Sequence, residues 1–197
     1  GGREDAVEVG GLRATVASSL TKIANDIRLL GSGPRSGLGE ISLPATQPGS
    51  SIMPGKVNPV MSEMLVQVGI YVSGLSQSVV MAGRDGHFEL NVTIPLIAYC
   101  LHDSITCLSH GARTFADRCV EGIEVNEERC RELVQQSLML VTALNPHIGY
   151  DNAARVAKKA FTENKTLREV VLEEGLLDED TLNKALDPMD MVHPKSG

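Results

Sequence analysis

From Val60 to about Ala82 the chain carries one formal charge, Glu63, in the run MSEMLVQVGIYVSGLSQSVVM. A helix that is apolar on nearly every side must be buried on nearly every side. The stretch is long enough for a membrane span, which needs about 20 residues. Ser62, Gln67, Ser73, Ser76, Gln77 and Ser78 make it too polar for lipid, however, and no basic flank supports insertion. The centre of a helical bundle, shared between subunits, is the reading that fits, and no membrane partner is expected.

The neighbours of this stretch are helical too. From about Glu8 to Leu30, apolar residues fall at Leu12, Val16, Leu20, Ile23, Ile27 and Leu30, in steps of three and four with charged residues between them. Gly31, Gly33 and Pro34 end that helix. Thr93 and Pro95 open another that runs to about Arg118, with Leu96, Ile97, Leu101, Ile105, Leu108, Ala112 and Phe115 as its buried face and Cys100 and Cys107 beside it in the core. Gly83 to Asn91, GRDGHFELN, reads as a loop or broken helix. Beyond Gly122 the helices become shorter and more charged: Asn126 to Thr142, Asp151 to Thr162, Thr166 to Glu174 with a Thr166/Glu169 capping box, and Asp178 to Leu186. No strand alternation of any length is present. The sequence therefore predicts an all-α protein: long helices of a central bundle over residues 1–123, then a small helical C-terminal domain over 124–197.

Composition excludes several functions. A net charge of -7 lacks the basic face that nucleic acid requires. The four cysteines form no C-x-x-C pair, and no His stands at zinc-ligand spacing, so no metal site is expected. Buried thiols in a reducing cytosol follow. The first residues are charged and lack the apolar core of a signal peptide. Without an initiator Met, and with a helix that starts already under way, the chain reads as a piece of a longer protein or a processed one.

Between the first two helices lies the loop 31–59, GSGPRSGLGEISLPATQPGSSIMPGKVNP, with six of the 19 Gly and five of the nine Pro but only Arg35, Glu40 and Lys56 charged. Its interleaved Ile41, Leu43, Ile52, Met53 and Val57 are those of a loop that docks on something. Gly49 allows close backbone approach, and Ser50 and Ser51 sit where N–H groups can converge on an anion. Lys56 adds positive charge and Asn58 a directional amide, both just ahead of a helix N-terminus whose dipole favours anions. A small dicarboxylate suits that combination. A Ser hydroxyl becomes a useful base only where its alkoxide is stabilised by positive charge and oriented donors. Each residue has a plainer reading: paired serines form turns, a lone Lys is solvated, and Glu63 in a first helical turn serves the dipole. Only their joint spacing separates these readings.

That spacing, GSSIMPGKVNP, resembles the signature of the fumarase/aspartase superfamily, and in detail is similar to class II fumarases. IANDIRLLGSGPRSGLGEI before it, GHFELNV after it and SLMLVTALNPHIGYDNAARVAKKA in the small domain extend the resemblance over nearly the whole chain. The resemblance implies fumarate hydratase chemistry of the tricarboxylic acid cycle, with anti elimination and addition across C2–C3 through an aci-carboxylate dianion. It implies Ser50 as catalytic base and Ser51, Lys56 and Asn58 as substrate-binding residues. Glu63 would orient a His that activates water. No metal or organic cofactor, a homotetramer with shared active sites, and a cytoplasmic or mitochondrial-matrix location are also implied.

Family chains are more than twice this length and draw each site from three regions, of which only the third is here. The family's Thr/His pair has no counterpart, and His87, His102, His110, His147 and His193 read as structural. Two alternatives stay open. Aspartate ammonia-lyase shares base and fold but expels ammonia; Gly55, GHFELNV and LVTALNPHIGY lean towards fumarase, whereas NPVMSEMLVQV is less typical. A non-catalytic helical oligomerisation module is the other.

Overall fold

The computed structural model describes residues 1–192, and His193 therefore lies outside the described residues. The chain is all-α. Three long helices, α1 (Glu4–Leu30), α2 (Val60–Gly83) and α3 (Ile94–Arg118), build the first unit, which ends at Asn126. Among the described residues one two-stranded antiparallel ladder joins β1 (Ile41–Ser42) to β2 (Glu124–Val125), in the register Ile41↔Val125 and Ser42↔Glu124. Two residues per strand are too few to leave a period-2 pattern.

Small residues set the crossing of α1 and α2. The residues that α1 buries are Gly10, Arg13, Ala17 and Ala24, and α2 buries Ser62, Leu65, Gly69, Val72, Ser76, Val79 and Ala82. Because interaxial distance follows the size of the contacting side chains, this face lets the helices approach closely. The predicted stripe on α1 is accordingly corrected. Leu12 is 61% exposed and Val16 and Ile23 are also open, while Leu20, Ile27 and Leu30 are half-buried. On α3, Ile97, Leu108 and Phe115 are buried as predicted, but Leu96 and Ile105 are exposed, and Cys100, Ser104 and Gly111 complete the inner face. Within this chain α2 is covered on one side only: Ile70, Tyr71 and Met81 are exposed. By length and composition α2 is also the one described helix able to cross a membrane.

Polar groups staple the bundle. Tyr71 donates to Asp103 Oδ2 (2.7 Å) across α2 and α3, and this bond is the main reason its hydroxyl is pushed up to about 12. Asn91, buried, donates to the Ala82 and Asp85 carbonyls and accepts from the Thr93 N–H and hydroxyl, closing the α2–α3 turn. Cys100 and Cys119 are buried and Cys107 half-buried, all unpaired, and burial pushes the three thiols up. They are packing residues rather than nucleophiles.

The second unit begins at Glu127. It contains α4 (Glu127–Gln136), α5 (Val141–Ile148), α6 (Tyr150–Glu163), α7 (Leu167–Glu173), α8 (Glu179–Ala185) and α9 (Met189–Val192). The single helix predicted from Asn126 to Thr142 is instead broken at Ser137, whose hydroxyl accepts from Met139 N–H to start a short 3₁₀ turn. Leu140, Leu144, Val156, Ala160, Leu167, Val170, Val171 and Leu182 form a core of their own.

The predicted capping box is present. Thr166 accepts from Glu169 N–H, and the Glu169 carboxylate accepts from the Thr166 N–H (2.7 Å) and hydroxyl (2.8 Å). Thr166→Ala is expected to cost about 1 kcal/mol in chemical denaturation at neutral pH. The two bonds from Thr166, its N–H first, hold the Glu169 carboxyl below its ordinary range. Their stabilisation is therefore present above the ordinary carboxylate pKa and is lost as pH falls through the depressed one. The gap between variant and wild type should narrow in acid; a gap independent of pH would contradict the linkage.

Candidate active site

Residues 49–58 form a closed clip at the mouth of α2. Met53 to Lys56 is a turn with Pro54 and Gly55 at its centre, closed by Lys56 N–H to Met53 O (3.3 Å), and Gly55 has φ +76°. A type II turn asks for this residue pair, since its third position needs positive φ. Behind the turn, Gly49 N–H donates to Lys56 O (2.9 Å) and Asn58 Nδ2 donates to Gly49 O (2.8 Å). A side chain at Gly49 would bring a Cβ to 2.7 Å from the Lys56 carbonyl carbon, so the ring closes only around glycine.

The clip feeds directly into the helix. Val60 N–H donates to Asn58 O (2.8 Å) and Glu63 N–H to Pro59 O (3.0 Å), which places Pro59 at the N-cap of α2, just ahead of its first turn. The unpaired N–H groups of that first turn leave positive potential beside the clip.

Ser50 is half-buried, and its Oγ accepts from Ile52 N–H (3.2 Å); Ser51 and Lys56 are exposed and Asn58 half-buried. Among the described residues, the Ser50 and Ser51 N–H groups and Lys56 Nζ make no hydrogen bond within the chain. Gly49, Ser50, Met53 and Lys56 line a depression of about 390 Å³ with Gln47 and Pro48. A second, of about 680 Å³, is lined by Ser32, Ser42, Lys56, Asn58 and Asn126 among others. Lys56 faces both. Ser51 and Glu63 line neither: Glu63 sits one turn into α2, where its backbone carbonyl accepts from Gln67 Nε2 (3.2 Å). The clip thus gathers Ser50, Lys56 and Asn58, and Glu63 stands apart from it.

The remainder of the loop is pinned at its root. Ser32 Oγ donates to Leu29 O (2.6 Å) and accepts from Leu38 N–H (3.1 Å). Glu40 N–H donates to Leu30 O, and Asn126 N–H to Glu40 O (2.8 Å), next to the β1–β2 ladder. Only Ala45 to Pro48, exposed and making no hydrogen bond within the chain among the described residues, separates root from clip. Asn126 and Ser32 were not singled out by sequence. Asn126 stands far along the chain, and nothing local marks its pairing with Glu40. His87, His102, His110 and His147 are exposed and line neither depression. Among the described residues no cluster of three or more His, Cys, Asp or Glu could hold a metal.

A family model described as Lyase matches residues 2–74, and one described as Fumarase C C-terminus matches residues 140–193. The chain is 51% identical over 192 residues to the fumarate hydratase class II of Halalkalibacterium halodurans, covering 98% of this chain and 42% of that protein. It is 52% identical over 189 residues to the mitochondrial fumarate hydratase of Danio rerio, covering 96% and 37%. The crystal structure of class II fumarase from Schistosoma mansoni superposes with a TM-score of 0.92 at 42% identity, over 99% of this chain and 41% of that one. Helical bundle, signature clip and matched models together place the chain in the fumarase/aspartase superfamily. Within that superfamily the chain belongs to the class II fumarase family, and it spans about two-fifths of the length of the relatives it matches.

Proposed function

We propose that the intact protein is a fumarate hydratase, interconverting fumarate and L-malate, and that this chain carries one of the regions that make its active site. Identity above one-half across nearly the whole chain to proteins named for that activity is the observation that carries the reading. In the dehydrating direction Ser50 takes the C3 proton, the electron pair passes into the adjacent carboxylate to give an aci-carboxylate dianion, and the C2 hydroxyl leaves with a proton as water. Ile52 N–H on Ser50 Oγ favours the alkoxide, since a donor to the charged form stabilises it. Lys56 and Asn58, with Ser51, hold the carboxylate on which charge develops, and preorganised donors there act chiefly by electrostatics. Glu63 orients a His outside this chain that handles the water. No cofactor is required by this sequence of steps.

The apolar faces that α1, α2 and α3 leave open accord with a homotetramer built on a shared helical bundle, its sites divided among subunits. The compartment is the cytoplasm, or the mitochondrial matrix in a eukaryote. These 197 residues alone should not turn over fumarate in an absorbance assay, whereas the intact protein should. Turnover by the isolated chain contradicts the divided site, and ammonia released from L-aspartate by the intact protein contradicts the hydratase.

A further inference from the structure

We propose that Asn58 is a positioning residue for Ser50, its amide fixing the peptide that carries Ser50 before any ligand arrives. The Gly49 carbonyl and the Ser50 N–H belong to one peptide plane. In a trans peptide they point in opposite directions, so holding the oxygen fixes where the N–H is aimed. Asn58 Nδ2 holds that oxygen at 2.8 Å, while Lys56 O takes the N–H on the other side of Gly49 at 2.9 Å.

The need for such a latch comes from Gly49 itself. The closeness of Lys56 excludes any side chain there, and a glycine costs little to rotate, so its following peptide can flip without a steric penalty. Asn58 opposes the flip. Fixed this way, the Ser50 N–H, which has no partner within the chain among the described residues, is aimed away from the Asn58 amide. The Asn58 amide has two donor hydrogens and a carbonyl oxygen. One hydrogen on Gly49 O leaves the other for a substrate carboxylate, so latch and ligand contact coexist. The clip is therefore preformed, and any adjustment to ligand falls on Ala45 to Pro48.

The effect on turnover rests on the hydratase reading; the geometry does not. Amide hydrogen exchange in the intact, ligand-free protein tests the geometry. Asn58→Asp replaces the donor with an acceptor of the same shape, and exchange at Gly49 should quicken by about three- to tenfold, the worth of one hydrogen bond, with α1–α3 amides unchanged. Lys56→Met keeps the backbone carbonyl and should leave Gly49 exchange at the wild-type rate. Unchanged exchange in Asn58→Asp, or an equal rise in Lys56→Met, overturns the latch. For turnover, Asn58→Ala should lower kcat at saturating fumarate by about 10²-fold, the size of effect that small misplacement produces. A rise in KM with kcat intact overturns the positioning role. Should the wild type not hydrate fumarate, the hydratase reading fails while the exchange result still decides the latch.

Discussion

Ser50→Ala in the intact protein should lower kcat for both fumarate hydration and malate dehydration by about 10² to 10⁴-fold, the contribution of a positioned general base. Assembly state and melting temperature should match the wild type. Among the described residues the Ser50 hydroxyl makes one bond, accepting from Ile52 N–H at 3.2 Å, so removing it empties no core. The ring that shapes the clip runs through Gly49, Lys56 and Asn58 and does not use the Ser50 side chain. Ser51→Ala provides the contrast, because Ser51 is exposed and lines neither depression. Its loss should weaken substrate binding and spare most of kcat. Steady-state kinetics on the two variants separates the roles, and wild-type turnover in Ser50→Ala would remove Ser50 as the base.

Leu144→Ala should destabilise the second unit by about 2 to 5 kcal/mol, the range for truncating a buried leucine. Leu144 is fully buried in a cluster made only of aliphatic side chains. That cluster has no aromatic side chain to shift into a cavity, so the void should stay largely unfilled and the cost should lie towards the upper end. Ion pairs offer little compensation. Arg155 and Lys159 reach Glu174, and Lys165 reaches Glu163 and Glu173, but these groups lie at or near the surface, where such pairs contribute little. Chemical denaturation should show an earlier transition for this unit, while the amides of α1 to α3 keep their wild-type exchange. A loss below about 1 kcal/mol would show that the neighbours repack.

Helix existence was legible because the signals are local. Glycine and proline after Leu30, the nearly charge-free run from Val60 and the Thr166/Glu169 box each mark an element by chemistry that its own residues complete. Helix orientation was less legible, and α1 shows why. A stripe of Leu12, Val16 and Ile23 is the natural choice for an inner face, yet the fold turns Ala17 and Ala24 inward and leaves the larger residues out. Periodicity finds that a helix has an apolar stripe; it does not say whether the same chain covers it.

The site divides in the same way. Ser50, Ser51, Lys56, Asn58 and Glu63 are all candidates from one stretch of sequence, and the clip brings Ser50, Lys56 and Asn58 together. What could not be read was how the clip is held: the Asn58 latch depends on ring closure over nine residues, and the pinned root depends on Asn126, far along the chain. The break of the predicted Asn126–Thr142 helix at Ser137 has a comparable cause, a hydroxyl competing for backbone N–H groups.

Hydration of fumarate by the intact protein in deuterated water tests the central claim most directly, with the product examined by proton NMR. The predicted product is L-malate with one deuterium at C3, placed anti to the added hydroxyl. The absence of malate, together with release of ammonia from L-aspartate, would contradict the assignment and favour the ammonia-lyase.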